Sequence, residues 1–471
     1  MSSLAAVGVL LAGLAYLIAR RRELCYLLLL LLVAFVWRPL SVLWIDLTGP
    51  IYSIQLFRDI GGDRAAPWIV AAELAVLLPI VLVFRPAVVR RLVARAAPAV
   101  APRAALPDAS NWVFAAFVVW AGLLFVDLAR GGTIPLFSGI ERWVFTEEYG
   151  GAAHQLLVKY GMFVGFFLGV FFAAGVQRRG VPDVRFLFVL LTLLAYLFLV
   201  GHRFSAFYAF AATFAMPYAT VVMLERYGAA DALQMRRLSR RLVLALQWAA
   251  GLLTIGMIAY ALYVSLVITR QFGSEGALLA FEHRVLVQQG EMFVATYDRV
   301  VQDGVVDPAK TADALFVHPV AEPGRNSTIP YLMVAEVGAA AFPMIDLGLS
   351  YSGGFPEIFF ELFGPWLAFV VLALVGALLG GLLYLLLGAI LERRFLSVFF
   401  IFYVTYPFLL MCLSGMLNSF VNWKFPIKVG ALCLWLLVEA VAFRRTRAAA
   451  ADDGGALERL RRGTAAPEAA W

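Results

Sequence analysis

Apolar residues run along this chain in eleven long blocks separated by short polar stretches. Blocks of about 17 residues or more are long enough to cross a hydrocarbon layer as helices. A chain in lipid must satisfy its backbone hydrogen bonds internally, so the pattern predicts an all-α, polytopic membrane protein. The expected spans are 3–19, 24–45, 67–85, 111–128, 155–176, 185–201, 204–224, 242–266, 362–390, 396–416 and 425–443. The first is short, like a signal peptide, but its basic cluster follows the apolar core instead of preceding it. It reads as a retained anchor.

Arginines punctuate every second connection. Arg20, Arg21 and Arg22 follow span 1, and Arg85, Arg90, Arg91, Arg95 and Arg103 follow span 3. Arg178, Arg179 and Arg185 follow span 5, and Arg226, Arg236, Arg237, Arg240 and Arg241 follow span 7. Arg393 and Arg394 follow span 9; Arg444, Arg445 and Arg447 follow span 11. Basic loops stay on the cytoplasmic side, which puts the N-terminus outside and the C-terminus inside. Residues 1–447 form one transmembrane domain in this reading, and 448–471 a mobile cytoplasmic tail.

Two stretches interrupt the hydropathy pattern. Residues 86–110, rich in Ala, Pro and Arg, read as a cytoplasmic linker with one basic surface helix. Residues 267–355 are the largest soluble piece and fall outside. Within them, Leu279, Phe281, Val285, Val287, Met292, Val294 and Val300 have helical spacing, which predicts a helix lying along the membrane surface. The outward loop 129–154 is apolar yet broken by glycines and Pro135, so it is expected to pack against the bundle.

Of the 471 residues, 63% are hydrophobic and 15% charged, and the mean hydropathy is +0.86, which excludes an ordinary soluble domain. The net charge of +7 would suit nucleic acid. The arginines are accounted for as topological signals, so no nucleic-acid partner is expected. Cys25, Cys412 and Cys433 all fall in spans, without disulfide or zinc spacing, so no metal and no cofactor is expected.

The charges in or near the spans are Arg38, Glu73, Asp127, Lys159, Arg203, Glu357 and Glu361, and on this topology all lie toward the outer face. Charge in lipid is expensive and marks sites. Arg38 lies eight residues before Asp46, roughly 12 Å below the surface along a helix. Pro39 beside it should kink that helix. Its structural reading is an arginine snorkelling outward or balancing Glu73 or Asp127. His202 and Arg203 occupy a short turn between spans 6 and 7. There a guanidinium fork suits a phosphate or pyrophosphate, and capping of a helical hairpin is the alternative. Arg284 and Glu291, seven apart, share one side of the expected surface helix, where a carboxylate or imidazole beside arginine can serve as a general base. Glu357 and Glu361 are four apart on one face. Glu357 follows Pro356, so favourable interaction with a helix dipole accounts for it equally well.

Several of these segments together resemble the Wzy-type O-antigen polymerases, or oligosaccharide repeat unit polymerases. They are GGTIPLFSGIER at 131–142, GHRFSAF at 201–207, FEHRVLVQQGE at 281–291, NSTIPYLM at 326–333 and PEIFFELFGPWLAFVVLALVG at 356–376. The wording is loose, but the order holds over most of the chain. The resemblance implies an enzyme of the bacterial inner membrane that moves a growing glycan from undecaprenyl pyrophosphate onto an incoming lipid-linked unit, on the periplasmic side. A chain-length regulator and a flippase would be its protein partners. On this resemblance Arg203 and Arg284 bind pyrophosphate with help from Arg38 and Arg142. Glu291 or His202 is the base, and Glu357 and Glu361 are supporting residues. An O-antigen ligase uses the same donor, and a lipid-linked glycan flippase is the rival of another class.

Overall fold

The structure is a computed structural model that describes residues 2–62, 64–100, 110–138, 144–179, 182–202, 204–228, 256, 282–312, 328–346 and 351–441. It is almost wholly helical. Nine helical runs among the described residues are long and apolar enough to cross a membrane. Helices α1 (Ser3–Arg20), α2 (Arg22–Thr48), α3 (Ala66–Val83) and α5 (Ser110–Arg130) cover the first four expected spans, with α4 (Pro86–Val100) between the last two. Helices α6 (Ala152–Arg179) and α7 (Val184–Leu199) follow. Span 7 is two helices, α8 (Phe204–Ala215) and α9 (Ala219–Tyr227), joined by a 3₁₀ turn at Met216–Tyr218 that contains Pro217. The expected span 242–266 lies outside the described residues. A short α10 (Glu291–Tyr297) and α11 (Thr328–Val337) lead to α12 (Glu357–Leu391), α13 (Phe395–Ser414) and a last helix, α14, at 424–441. Between α2 and α3 a three-residue antiparallel hairpin pairs Ile51–Ser53 with Arg58–Ile60.

Two cores hold the bundle together. One joins α1, α2, α3, α12 and α13; the other joins α5, α6, α7 and α8. Close helix approach rests on small residues, since apolar burial between helices gains little in lipid. On α6, Gly161, Gly165 and Gly169 face α8, and a β-carbon at Gly169 would lie 2.1 Å from the Phe214 carbonyl oxygen. On α12, a β-carbon at Gly376 would lie 2.3 Å from the Val76 carbonyl oxygen of α3. Phe166 of α6 stacks on Phe402 of α13 at 3.7 Å, so α6 contributes to the first core as well as to the second.

Each end of the bundle has its own character. At one end, Arg21 donates to Glu23 (2.7 Å) and to the Phe84 carbonyl, while Arg226 donates to Glu23 (3.3 Å) and to the Arg20 carbonyl. Arg394 reaches Glu392 (2.8 Å) and Glu439 (2.5 Å) at the same end, and Arg393 donates to the Gln177 carbonyl (3.0 Å). The expected basic surface helix is α4. Val89, Leu92, Val93 and Ala96 are buried, and Arg90, Arg91 and Arg95 are exposed. This basic end carries the arginine clusters read as cytoplasmic. Tyr227 lies there, whereas Glu282 begins a segment at the opposite, cap end.

The cap end departs from expectation in two respects. Residues 282–302 do not form one amphipathic surface helix. A π-turn at His283–Val287 and a π-turn at Asp298–Gln302 flank α10, which is buried on every side from Glu291 to Thr296. The break falls at Gly290, where a β-carbon would lie 2.7 Å from the Val42 amide nitrogen of α2. Arg284 and Glu291 therefore do not share a face: Arg284 is exposed and Glu291 is buried. The second departure is the run Thr328–Asp346, which is apolar enough for a span although it lies in the stretch expected to be soluble. It is divided by a 3₁₀ turn at Gly338–Ala341. By contrast, α2 passes Pro39 without a break in its helical dihedrals, and α12 breaks at Gly364 (φ 71°), next to the expected start at 362. Only glycine takes that backbone conformation without steric cost.

The orientation is testable. In a version lacking Cys25, Cys412 and Cys433, a cysteine replacing the exposed Val305 should react with an impermeant maleimide from outside intact cells. One replacing Arg95 should react only after permeabilisation. Reversed labelling would invert the topology and move the cap to the cytoplasm.

Candidate functional site

Titratable groups gather beneath the cap in three adjoining sets. The first is built on Glu291, the first residue of α10. Its Oε2 accepts from Ser53 Oγ at 2.6 Å and lies 3.3 Å from His283 Nε2. The Ile54 amide donates to the same His283 nitrogen at 3.3 Å. That nitrogen cannot accept from the amide and donate to the carboxylate at once, so its protonation state decides which contact is made. Tyr351 donates to the Gln55 carbonyl, and burial, with the Glu291 charge adding, pushes its hydroxyl up to about 12. The hairpin and the π-turn therefore hold Glu291 from opposite sides. The segment is anchored on α2 by Trp37, which donates to the Val285 carbonyl (2.8 Å), and by Ser41, which donates to that of Leu286 (2.7 Å).

The second set lies deeper, between α2, α3 and α12. Arg38 is 6% exposed, and Glu73 and Glu357 are 0% exposed. Arg38 donates to the Leu413 carbonyl at the end of α13 and sits 5.9 Å from the Phe355 ring. Its other terminal nitrogen and all four carboxylate oxygens are buried, and no side chain hydrogen-bonds to them. Asp127, the alternative partner expected for Arg38, is elsewhere: it crowds Gly151, and its charge acts on His154 and Tyr196.

The third set is an ion-pair clamp. Arg299 grips Glu361 with two nitrogens (3.1 and 2.5 Å) and Glu336 with its Nε (3.1 Å), and Arg58 reaches Glu336 from the hairpin at 2.8 Å. Burial works against the Arg299 charge, yet the two carboxylates outweigh it and raise its proton affinity further. Glu361 is thus half of a structural pair that ties the π-turn to the start of α12.

His202 belongs to the other core. Its ring centre lies 6.4 Å from that of His154, whose nitrogens contact Thr146 Oγ1 (3.0 Å) and Tyr196 Oη (2.8 Å). Arg203 and Arg142 lie outside the described residues. Sequence reasoning passed over Arg299, Glu336, His154 and Tyr196. The Arg299–Glu361 pair joins residues 62 apart, which no local spacing signals. An apolar groove of about 490 Å³ opens beside the cap between α12 and α13, lined by Phe359, Leu362, Val371, Phe408, Met411 and Phe420. Among the described residues no His, Cys, Asp and Glu group has metal-site geometry.

Fold and site define an all-α protein of the polytopic membrane class. Residues 322–428 match the model of DUF6418, a family of unknown function. The match includes Glu336, Tyr351, Glu357 and Glu361 but not Arg38, Glu73, Glu291 or Arg299. No curated protein and no solved structure matches the chain.

Removing Arg299 would strand Glu361, which is 1% exposed, and leave Glu336 to Arg58 alone. Arg299→Met should cost on the order of 3 kcal/mol in unfolding stability in detergent, because breaking a buried pair leaves charge uncompensated. The double variant Arg299→Met/Glu361→Gln should recover part of that loss. An Arg299→Met protein as stable as the parent would show that the clamp contributes nothing to the fold.

Proposed function

We propose that this protein is a membrane glycosyltransferase that lengthens a glycan carried on undecaprenyl pyrophosphate, at the periplasmic face of a bacterial inner membrane. One observation carries the reading. The ion pairs of Glu23 and Glu439 at the basic end are closed, whereas Glu73, Glu291 and Glu357, toward the cap, keep buried oxygens without partners. Polar groups left unpaired at a structural cost are what a site retains for chemistry.

The reaction needs three things. A base must take the proton of the acceptor hydroxyl as its oxygen attacks the anomeric carbon. Glu291, beside His283, is the assigned base. Cationic donors must receive the charge that develops on the departing lipid pyrophosphate. Arg284 at the cap surface fills this role, with Arg203 and Arg142 assigned on resemblance. Arg38 is assigned less directly: two carboxylates face it, and a pyrophosphate would meet their charge. The groove between α12 and α13 offers the prenyl chain an apolar wall. The resemblance also admits ligase activity on the same donor. The charged set inside the bundle favours a second reading, lipid-linked glycan export.

The purified protein in liposomes, given a defined lipid-linked repeat unit, should build a polymer ladder. Glu291→Gln should slow it by at least about a hundredfold, the lower end of what a general base supplies. Arg284→Ala should reduce transfer, and Arg284→Lys should restore it only in part. Transfer only to lipid A-core would identify a ligase, and movement across the bilayer without transfer an exporter. Full polymerisation by Glu291→Gln would remove that residue from the chemistry.

A further inference from the structure

We propose that Arg38, Glu73 and Glu357 form a binding site for one exchangeable proton, shared between the two carboxylates inside the bundle. Three helices bring the groups together. Glu73 is faced by Arg38 from α2 and by Glu357 from α12; Glu357 is faced by Arg38 and by the Gly354 amide. Cys412 of α13 also faces Arg38. With both carboxylates ionised the set carries a net charge of −1, from one cation and two anions, in surroundings closed off from the surface. Isolated charge in such surroundings is strongly penalised, and two nearby carboxylates avoid ionising together. One proton restores neutrality. It also turns one carboxylate oxygen into a donor.

The enclosure selects the ligand. Both glutamates are wholly inaccessible, and Arg38 is closed in by Phe355 and the end of α13. A hydrated cation or a sugar hydroxyl needs a cavity of its own size, whereas a proton occupies none and can reach the carboxylates during brief local openings of the structure. A metal cation would also sit against the Arg38 guanidinium. The assignment does not rest on glycan transfer. The site adjoins the cap: Gly353 lies between Met292 of α10 and Glu357, and a β-carbon there would be 3.0 Å from Met292 Cβ and 3.1 Å from Glu357 Oε1.

Infrared difference spectroscopy on the full chain in sodium-free liposomes, with carbon-13-labelled glutamate, tests the site. At neutral pH the parent should show a protonated glutamate carbonyl band that shifts in D₂O. Glu73→Gln should abolish that band. Glu357→Gln should abolish it too, because the remaining carboxylate can then ionise opposite Arg38. Arg38→Gln should strengthen it toward twofold, as both carboxyls take up protons. Loss in only one glutamate variant would assign the proton to a single residue and overturn sharing. No change in either would place the proton elsewhere, and suppression of the parent band by added sodium would make this a cation site. Should a variant fail to fold, the parent alone still decides the proton's presence: a sample without an exchangeable band holds no such proton.

Discussion

A charge in hydrocarbon needs its counter-charge within reach, and the long-range ion pairs of this bundle answer that constraint. Glu23 has no exposed surface, yet three side chains meet on it: Arg21 from the α1–α2 corner, and Arg226 and Tyr227 from the end of α9. At the cap end Arg299 ties its π-turn to α11 through Glu336 and to the start of α12 through Glu361, and Arg58 adds the hairpin by way of Glu336. These links are expensive to break because an unpartnered buried charge is worse than none. They fix which helix ends lie together more firmly than apolar contact does, since lipid offers apolar side chains an equally good environment.

Close helix packing is the second constraint, and it is set by what is missing from the side chains. The glycines of α6 repeat every fourth residue and lie on one face, so α8 approaches to backbone contact along a whole stripe. Gly376 does the same for α12 against α3, where it meets Val76, one turn from Glu73. Glu357 lies on the other side of the break at Gly364, so that break as well as the close packing decides where its carboxylate falls.

The fold class was legible because hydropathy over a span is a sum of many small terms and survives local error. Nearly every expected span with described coordinates begins within a few residues of its helix. Residues 282–302 were misread for a physical reason. Their apolar spacing suits a surface helix, but Gly290 is forced against Val42, and the residues after it are buried on all sides, so periodicity carried no information about which side faced water. Candidate charges were recognisable singly, since an arginine such as Arg38 within an apolar block stands out. Their grouping was not. Glu73 and Glu357 meet only through tertiary packing, and Arg38 gave no sign of which acid it would face.

The two kinds of buried charge carry different information. Glu361 and Glu23 are as buried as Glu357 and stand beside apolar runs in the same way, yet their ion pairs account for them fully. Glu291 is held on one oxygen by Ser53, and its other oxygen is buried without a partner. Burial alone therefore does not separate scaffold from site in a membrane protein. The separating quantity is the hydrogen-bonding capacity left over after the protein's own partners are counted. Here the glutamates with capacity left over sit where α2, α3, α10 and α12 converge beneath the cap. At that convergence Gly353 separates Met292, the residue after Glu291, from the Glu357 carboxylate: a β-carbon there would lie 3.0 Å from Met292 Cβ and 3.1 Å from Glu357 Oε1, so a glycine is what lets the two glutamate-bearing elements close on each other.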